Sequence, residues 1–234
     1  MHIAFLDANT DRSAFAARHA SEVDKFRALL APVAPDWRYS DFKVTEGALP
    51  ASLKGFDGVI VSGSPASVND AEDWVPGLMA TIRKAVDAGV PVFGACFGHQ
   101  AVAKALGGVV AHNPDGWVLG RVETVNHSPA PWMRDAPATM ALNAAHNEQV
   151  VTPPPGATVL GGTAQVPNAQ LAIGNTVFTT QYHPEITRDF MADLITHLNG
   201  EVPAPVLAGA QAALPLSLDD ALMARWIAAF FNAN

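Results

Sequence analysis

The sequence predicts an α/β fold, with a mostly parallel central sheet, helices on both of its faces and a smaller antiparallel β region. Two observations predict it. As far as Gly108, short apolar runs alternate with stretches of helical spacing. From Val109 to His183 the segments are short, β-prone and cut by Pro and Gly. Strands separated by helices need crossovers, and right-handed crossovers make such strands parallel.

His2 to Asp7 is an apolar run ending in an acid, and reads as the first strand. Phe15, Val23, Phe26, Leu29 and Leu30 fall at helical spacing, so a helix is expected from Phe15 to Leu30. Trp37 to Val44 alternates as an edge-side strand does. Gly58 to Val61 is a short buried strand, ended by Ser62-Gly63-Ser64-Pro65. Trp74 to Ala88 is helical, and Gly89 stands where a helix stops. Val90 to Ala95 is a further strand, and Gln100 to Leu106 a helix closed by Gly107-Gly108. Beyond it, strands are expected at Arg121 to Val125, Thr139 to Leu142, Ala157 to Leu160, Gln170 to Ile173 and Thr176 to Tyr182. Thr187 to Leu198 is a helix. Glu201 to Pro215, rich in Pro, Ala and Gly, reads as a linker before an amphipathic helix from Leu218 to Phe231. That helix has three readings: packed on the body, exchanged with a neighbour, or docked to a partner. The expected organisation is one domain over residues 1–199, then a linker and helical extension over 200–234.

The formal charge is −8, and no run of Lys or Arg offers a phosphate-binding face, which argues against nucleic acid as a partner. No apolar stretch is long enough for a bilayer, and Ile3 to Leu6 is too short for a signal-peptide core. A single cysteine makes no internal disulfide, so the cytoplasm is the expected location.

That cysteine carries the first chemical signal. In Val92-Phe93-Gly94-Ala95-Cys96-Phe97-Gly98-His99-Gln100 a strand runs into Cys96 and a helix leaves it. A lone cysteine in an apolar segment is more often inert core filling. Here, however, glycines flank it on both sides of a sharp turn, the frame of a nucleophile elbow. The amide of Phe97 is expected where an oxyanion would form.

The second signal is Gln181-Tyr182-His183-Pro184-Glu185, at a strand end. A thiol nucleophile needs a base, and the base an orienting acceptor. Residues two apart in a strand share a face, so Glu185 can hold one imidazole nitrogen of His183 while the other meets the sulfur. Alone, such a trio is more often an ordinary loop.

Gly94-Ala-Cys96-Phe-Gly98-His-Gln100 followed by His183-Pro184-Glu185 resembles the class I, or triad, glutamine amidotransferases over about residues 2 to 199. The resemblance implies a flavodoxin-like three-layer sandwich and a Cys96-His183-Glu185 triad. Ser62-Gly63-Ser64-Pro65-Ala66-Ser67-Val68 looks like the family's oxyanion loop, most of all in its GMP synthetase form. The match implies that Gly63 supplies an oxyanion amide beside Phe97. It also implies that Gln100 and Ser64 help to hold substrate. Ala145-His146-Asn147-Glu148-Gln149-Val150 resembles the family's Ser-His-Gly-Asp-x-Val segment, bringing His146 and Asn147 to the same pocket. Ser64, Ala145, Asn147 and Glu148 depart from the common pattern, leaving the γ-acyl substrate open.

The implied chemistry is hydrolysis of a γ-glutamyl amide through a Cys96 thioester, with no metal or organic cofactor. Three functions stay open: a glutaminase that passes ammonia to a separate synthetase, a free-standing γ-glutamyl hydrolase or peptidase, and a non-catalytic binding protein. The extension is expected to dock a partner or form a homodimer. His99 is expected to face away from the sulfur as a solvated or supporting residue, and His112 and His127 lack ligand spacing. Asp70, Glu72 and Asp73 read first as an acid cluster at a helix N-terminus and second as a charged rim near the substrate entrance, and Trp117 reads as core packing.

Overall fold

The computed structural model describes residues 1–233. β1 (His2–Asp7), β2 (Arg38–Lys43), β3 (Gly58–Val61) and β4 (Val92–Ala95) form the N-terminal strands. They alternate with α1 (Glu22–Leu30), α2 (Val75–Asp87) and α3 (Phe97–Ala105). Then come β5 (Val109–His112), β6 (Val118–Asn126), β7 (Thr139–His146), β8 (Glu148–Thr152), β9 (Thr158–Gly162), β10 (Gln170–Ile173) and β11 (Val177–Thr180). The chain continues through α4 (Arg188–His197), α5 (Ala204–Ala213) and α6 (Asp220–Asn232). Among the described residues nine strands form one sheet, ordered β2-β1-β3-β4-β11-β10-β9-β6-β7, and β5 pairs with β8 in a small antiparallel sheet. The strands from β2 to β11 are parallel, and β10, β9, β6 and β7 extend the sheet antiparallel.

The period-2 alternation of strands sorts their side chains between two layers. Ile3 and Phe5 of β1, Ile60 of β3 and Phe93 of β4 face a core closed by α1 and α6. Ala4, Leu6, Val59, Val61 and Val92 face the opposite core, closed by α2 and α3. This is the three-layer arrangement expected from the sequence.

Several boundaries differ. The Phe15–Leu30 helix is broken: Ala16–Arg18 is a 3-10 turn, and α1 starts only at Glu22. The reason is Ser21, whose hydroxyl accepts the Asp24 amide as an N-cap. The acid cluster does not sit in a helix turn, since α2 begins at Val75 with no acid in its first turn. β5 and β8 were not expected, and β6 and β7 run longer than their apolar cores suggest.

The largest difference is the segment read as a linker. Residues Ala204–Ala213 are helical, because Pro203 and Pro205 sit at the start, where a missing N–H is not missed. α5 packs on β6, and Gly120 lies with a φ of +84° where an added Cβ would stand 2.8 Å from Ala210 Cβ. Gly120→Ala should therefore cost about 2 kcal/mol in chemical denaturation, combining strain and overpacking. An unchanged denaturation midpoint would show that α5 yields to the added methyl and that the positive φ costs nothing, since the new Cβ would also stand 2.9 Å from the Ala210 Cα.

α6 packs on the body of its own chain. Trp226, Phe230 and Phe231 are buried in the α1-side core, and Phe231 fills the space left by Gly58, where a Cβ would lie 2.3 Å from its ring.

Candidate active site

Three adjacent parallel strands deliver the site. Register pairs Val61 of β3 with Gly94 of β4, and Ala95 of β4 with Thr180 of β11. Gly63, Cys96 and His183 therefore emerge just past the same carboxyl edge of the sheet, the usual place for a site in an open α/β sheet.

Cys96 has φ 51° and ψ −107°, a strained conformation for a residue other than glycine. Its amide donates to the Thr180 carbonyl at 2.9 Å, which ties the turn to β11. The turn is feasible because its neighbours lack side chains. A Cβ on Gly94 would lie 2.6 Å from the Gly98 carbonyl, and one on Gly98 would lie 2.3 Å from the Val61 oxygen. Phe97 opens α3, so its amide has no acceptor within the helix. Gly63 lies against the same point: a Cβ there would be 2.9 Å from His183 Cε1 and 3.8 Å from Cys96 Cβ. The Ser62 hydroxyl donates to the Gly63 carbonyl at 2.9 Å and accepts the Ala8 amide at 2.9 Å, which fixes this loop.

His183 Nδ1 donates to Glu185 Oε1 at 2.6 Å, and both side chains are buried. The charge of Cys96 acts on the His183 ring, and with Nδ1 engaged by Glu185 this leaves Nε2 for the sulfur. The loop is braced from β7: the His183 amide donates to the Asn143 carbonyl at 2.8 Å, and Asn143 Nδ2 to the Ile186 carbonyl at 3.0 Å. Burial lowers the pKa of His183, but the charges of Cys96 and Glu185 and hydrogen bonds to both outweigh it and hold the imidazole well above the usual histidine range. A raised folded value means that the pairing stabilises fully below the unfolded value of ~6.5 and is lost as pH rises through the raised one. The stability gap between the native chain and His183→Gln should therefore narrow from pH ~6.5 upward. A gap in the melting temperatures that widens with pH would refute this.

Gln100 and Gln181, both buried, hold each other behind the sulfur. Gln100 Nε2 donates to the Glu148 carbonyl at 2.9 Å and to Gln181 Oε1 at 3.3 Å, and Gln181 Nε2 approaches Cys96 Sγ at 3.8 Å. His146 is buried, and burial pushes it down to about 4, so it is neutral. Its Nδ1 donates to the Glu148 carbonyl at 2.9 Å. Ser64 Oγ accepts the Ala66 amide at 3.1 Å. Cys96, His183, Glu185, Gly63, Ser64, Gln100, His146 and Asn147 all line one cavity of about 780 Å³.

His99 is not solvated. It is fully buried, bonded through Nδ1 to Thr179 Oγ1 at 2.8 Å, and burial lowers it to about 3. Trp117 is partly buried and contributes to the cavity wall. Sequence reasoning missed Glu22, a buried acid on α1 that pairs with Lys25 at 2.7 Å and accepts from Asn9 at 3.0 Å. Burial raises its pKa, Lys25 opposes this, and the charges of Glu185 and His183 reach it. It sits at an i, i+3 position from Lys25, an ordinary surface pattern in sequence, and only the fold turns that face toward the cavity. Asn143 was also missed, since nothing local distinguishes it from other polar strand residues, while Ser62 and Gln181 stand inside the motifs read from the sequence but were given no role there.

Comparison with known proteins gives the family of the chain. The family model "Glutamine amidotransferase class-I" matches residues 21–194. Gamma-glutamyl peptidase 4 of Arabidopsis thaliana is 30% identical over 177 residues, covering 73% of this chain and 70% of that protein. For gamma-glutamyl peptidase 3 of the same plant the identity is 29%, covering 66% of this chain and 65% of the relative. A glutamine-hydrolyzing GMP synthase subunit of Saccharolobus solfataricus is 34% identical over 57% of this chain and 70% of its own length. A glutamine amidotransferase structure from Thermotoga maritima superposes with a TM-score of 0.75 at 18% identity, covering 99% of each chain, a likeness of fold. The chain belongs to the class I glutamine amidotransferases.

Proposed function

We propose that this chain hydrolyses γ-glutamyl amides through a covalent Cys96 thioester. The observation that carries the reading is the convergence of Cys96, His183 and Glu185 past adjacent parallel strands, with one imidazole nitrogen on the carboxylate and the other left for the sulfur. His183 takes the thiol proton as Cys96 attacks the γ-carboxamide carbon. The amides of Gly63 and Phe97 stabilise the oxyanion, a term worth about 2.7–4 kcal/mol per donor. His183 then protonates the leaving nitrogen, and the amine or ammonia departs. Water, deprotonated by the same imidazole, cleaves the thioester. Glu185 holds the tautomer throughout. Gln100, Ser64, His146 and Asn147 are the proposed contacts for the γ-glutamyl group. A nucleophilic thiol must stay reduced, which suits a cytoplasmic setting. No helix among the described residues is long and apolar enough to cross a membrane.

The relatives support two forms of this activity. Similarity to plant proteins named gamma-glutamyl peptidases favours a free-standing hydrolase of small γ-glutamyl conjugates. Similarity to a glutamine-hydrolyzing GMP synthase subunit favours a second reading, delivery of ammonia to a synthetase on another chain. The purified chain should turn over γ-glutamyl amides and peptides by itself, and a diazoketone analogue of glutamine should label Cys96. Glutaminase activity that stays feeble until a synthetase is added would favour the second reading. Failure of both labelling and turnover would leave only a non-catalytic protein.

A further inference from the structure

The cavity is far larger than glutamine needs. At about 780 Å³ it is in the range of pockets that enclose drug-sized ligands, roughly 300–1,000 Å³. The γ-glutamyl group, on the reading above, occupies only the part beside Cys96, Ser64 and Asn147. What fills the rest follows from where the leaving nitrogen must go. That nitrogen receives its proton from His183, so its substituent has to extend past the His183–Glu185 edge. The next residue along that edge is Ile186, and α4 begins immediately after it at Arg188.

α4 meets that space with an apolar stripe. Phe190, Leu194 and Leu198 recur at intervals of four, so they share one face of the helical turn. All three are only partly buried and all line the cavity. Met191 and Ile195 are the side chains through which α4 fills its own core. The stripe packs against that same core and stays only partly covered, with the rest of its surface on the cavity, and a face meant for water alone would carry polar residues. Phe15 and Trp117 line the same cavity, and Phe15 meets Phe190 edge-on at 5.4 Å between centroids. The Lys25 ammonium stands 4.0 Å over the Phe190 ring. The charged groups around this wall are Lys25, paired with Glu22 at 2.7 Å, Asp193, met by His19 at 3.5 Å, Arg18 at 6.0 Å from the Phe15 ring, Glu185, held by His183, and Glu201.

Resting on the γ-glutamyl hydrolase reading, we propose that Phe190, Leu194, Leu198, Phe15, Trp117 and Ile186 form a leaving-group subsite for a bulky apolar or aromatic amine. The substrates are then γ-glutamyl conjugates in which the amide nitrogen carries a hydrophobic group. The reaction breaks the γ-carbonyl carbon–nitrogen bond, forms the Cys96 thioester, and sends the proton from His183 to the released amine. Water then yields glutamate and the free thiol.

The test compares kcat/KM of the purified chain for glutamine, γ-glutamyl methylamide and γ-glutamyl phenethylamide. The phenethylamide should exceed the methylamide by tenfold or more. In Leu194→Asp that ratio should fall at least tenfold, mainly through KM, whereas Leu194→Met should retain it. Leu198→Gln, at the outer end of the stripe, provides a second reading of the same ratio if Leu194→Asp does not fold. Equal or slower turnover of the phenethylamide by the native chain overturns the subsite and leaves the hydrolase reading standing. An unchanged ratio in the polar variants overturns the placement on α4. Absence of turnover with all three amides overturns both readings.

Discussion

A Cys96→Ser variant should keep its fold and lose γ-glutamyl amide hydrolysis by roughly four to six orders of magnitude. The hydroxyl is close in size to the thiol, so the elbow is retained and the melting temperature should move little. The loss is large because every later step acts on the thioester. The His183–Glu185 pair would remain at its hydrogen bond, yet it would have no sulfur to activate. Residual activity within about tenfold of the native chain would place the nucleophile elsewhere, and trapping of a γ-glutamyl thioester on the native chain would then fail as well.

Gly98→Ala should produce the largest loss of stability of any single methyl addition near the site. The new Cβ would meet the Val61 carbonyl oxygen at 2.3 Å and its carbon at 2.9 Å. These are backbone atoms of a central strand paired on both sides, so no rotamer change relieves the contact. A cost of about 3 kcal/mol or more is expected, or roughly 6–12 °C in Tm for a chain of this size. Activity should fall with it, because α3 would be pushed away from the elbow that it supports. A Tm within 2–3 °C of the native value, about 1 kcal/mol or less for this size, would mean that strand and helix are less tightly apposed than this contact requires.

The centre of this fold was legible because its signals are local. A glycine on either side of Cys96 reports a turn too tight for side chains, and His183 with Glu185 two residues on reports a shared face. Parallel order followed from short apolar strands separated by helices. The rest was hidden for physical reasons. Residues 204–213 are rich in alanine with prolines at the start, a composition equally suited to a linker and to a helix docked by its small side chains. Only the Gly120 contact with Ala210 shows which was used. β5 and β8 carry exposed Val109 and Val151, so their pairing leaves no clean alternation. His99 is polar in sequence, but its partner Thr179 is on β11, which no local pattern reveals. Glu22 is a common helix residue that becomes part of the cavity only because α1 turns that face toward the triad.

The position of α6 has a consequence for how the protein is made. β1 leaves the ribosome well before α6, and one of its faces is covered by aromatic rings that are synthesised some two hundred positions afterwards. During translation that face must wait uncovered, sheltered by chaperones or by transient collapse, and the Gly58 notch stays vacant until Phe231 has emerged. Truncations that keep the whole reacting centre but stop before Asp220 should therefore aggregate rather than yield a smaller working unit.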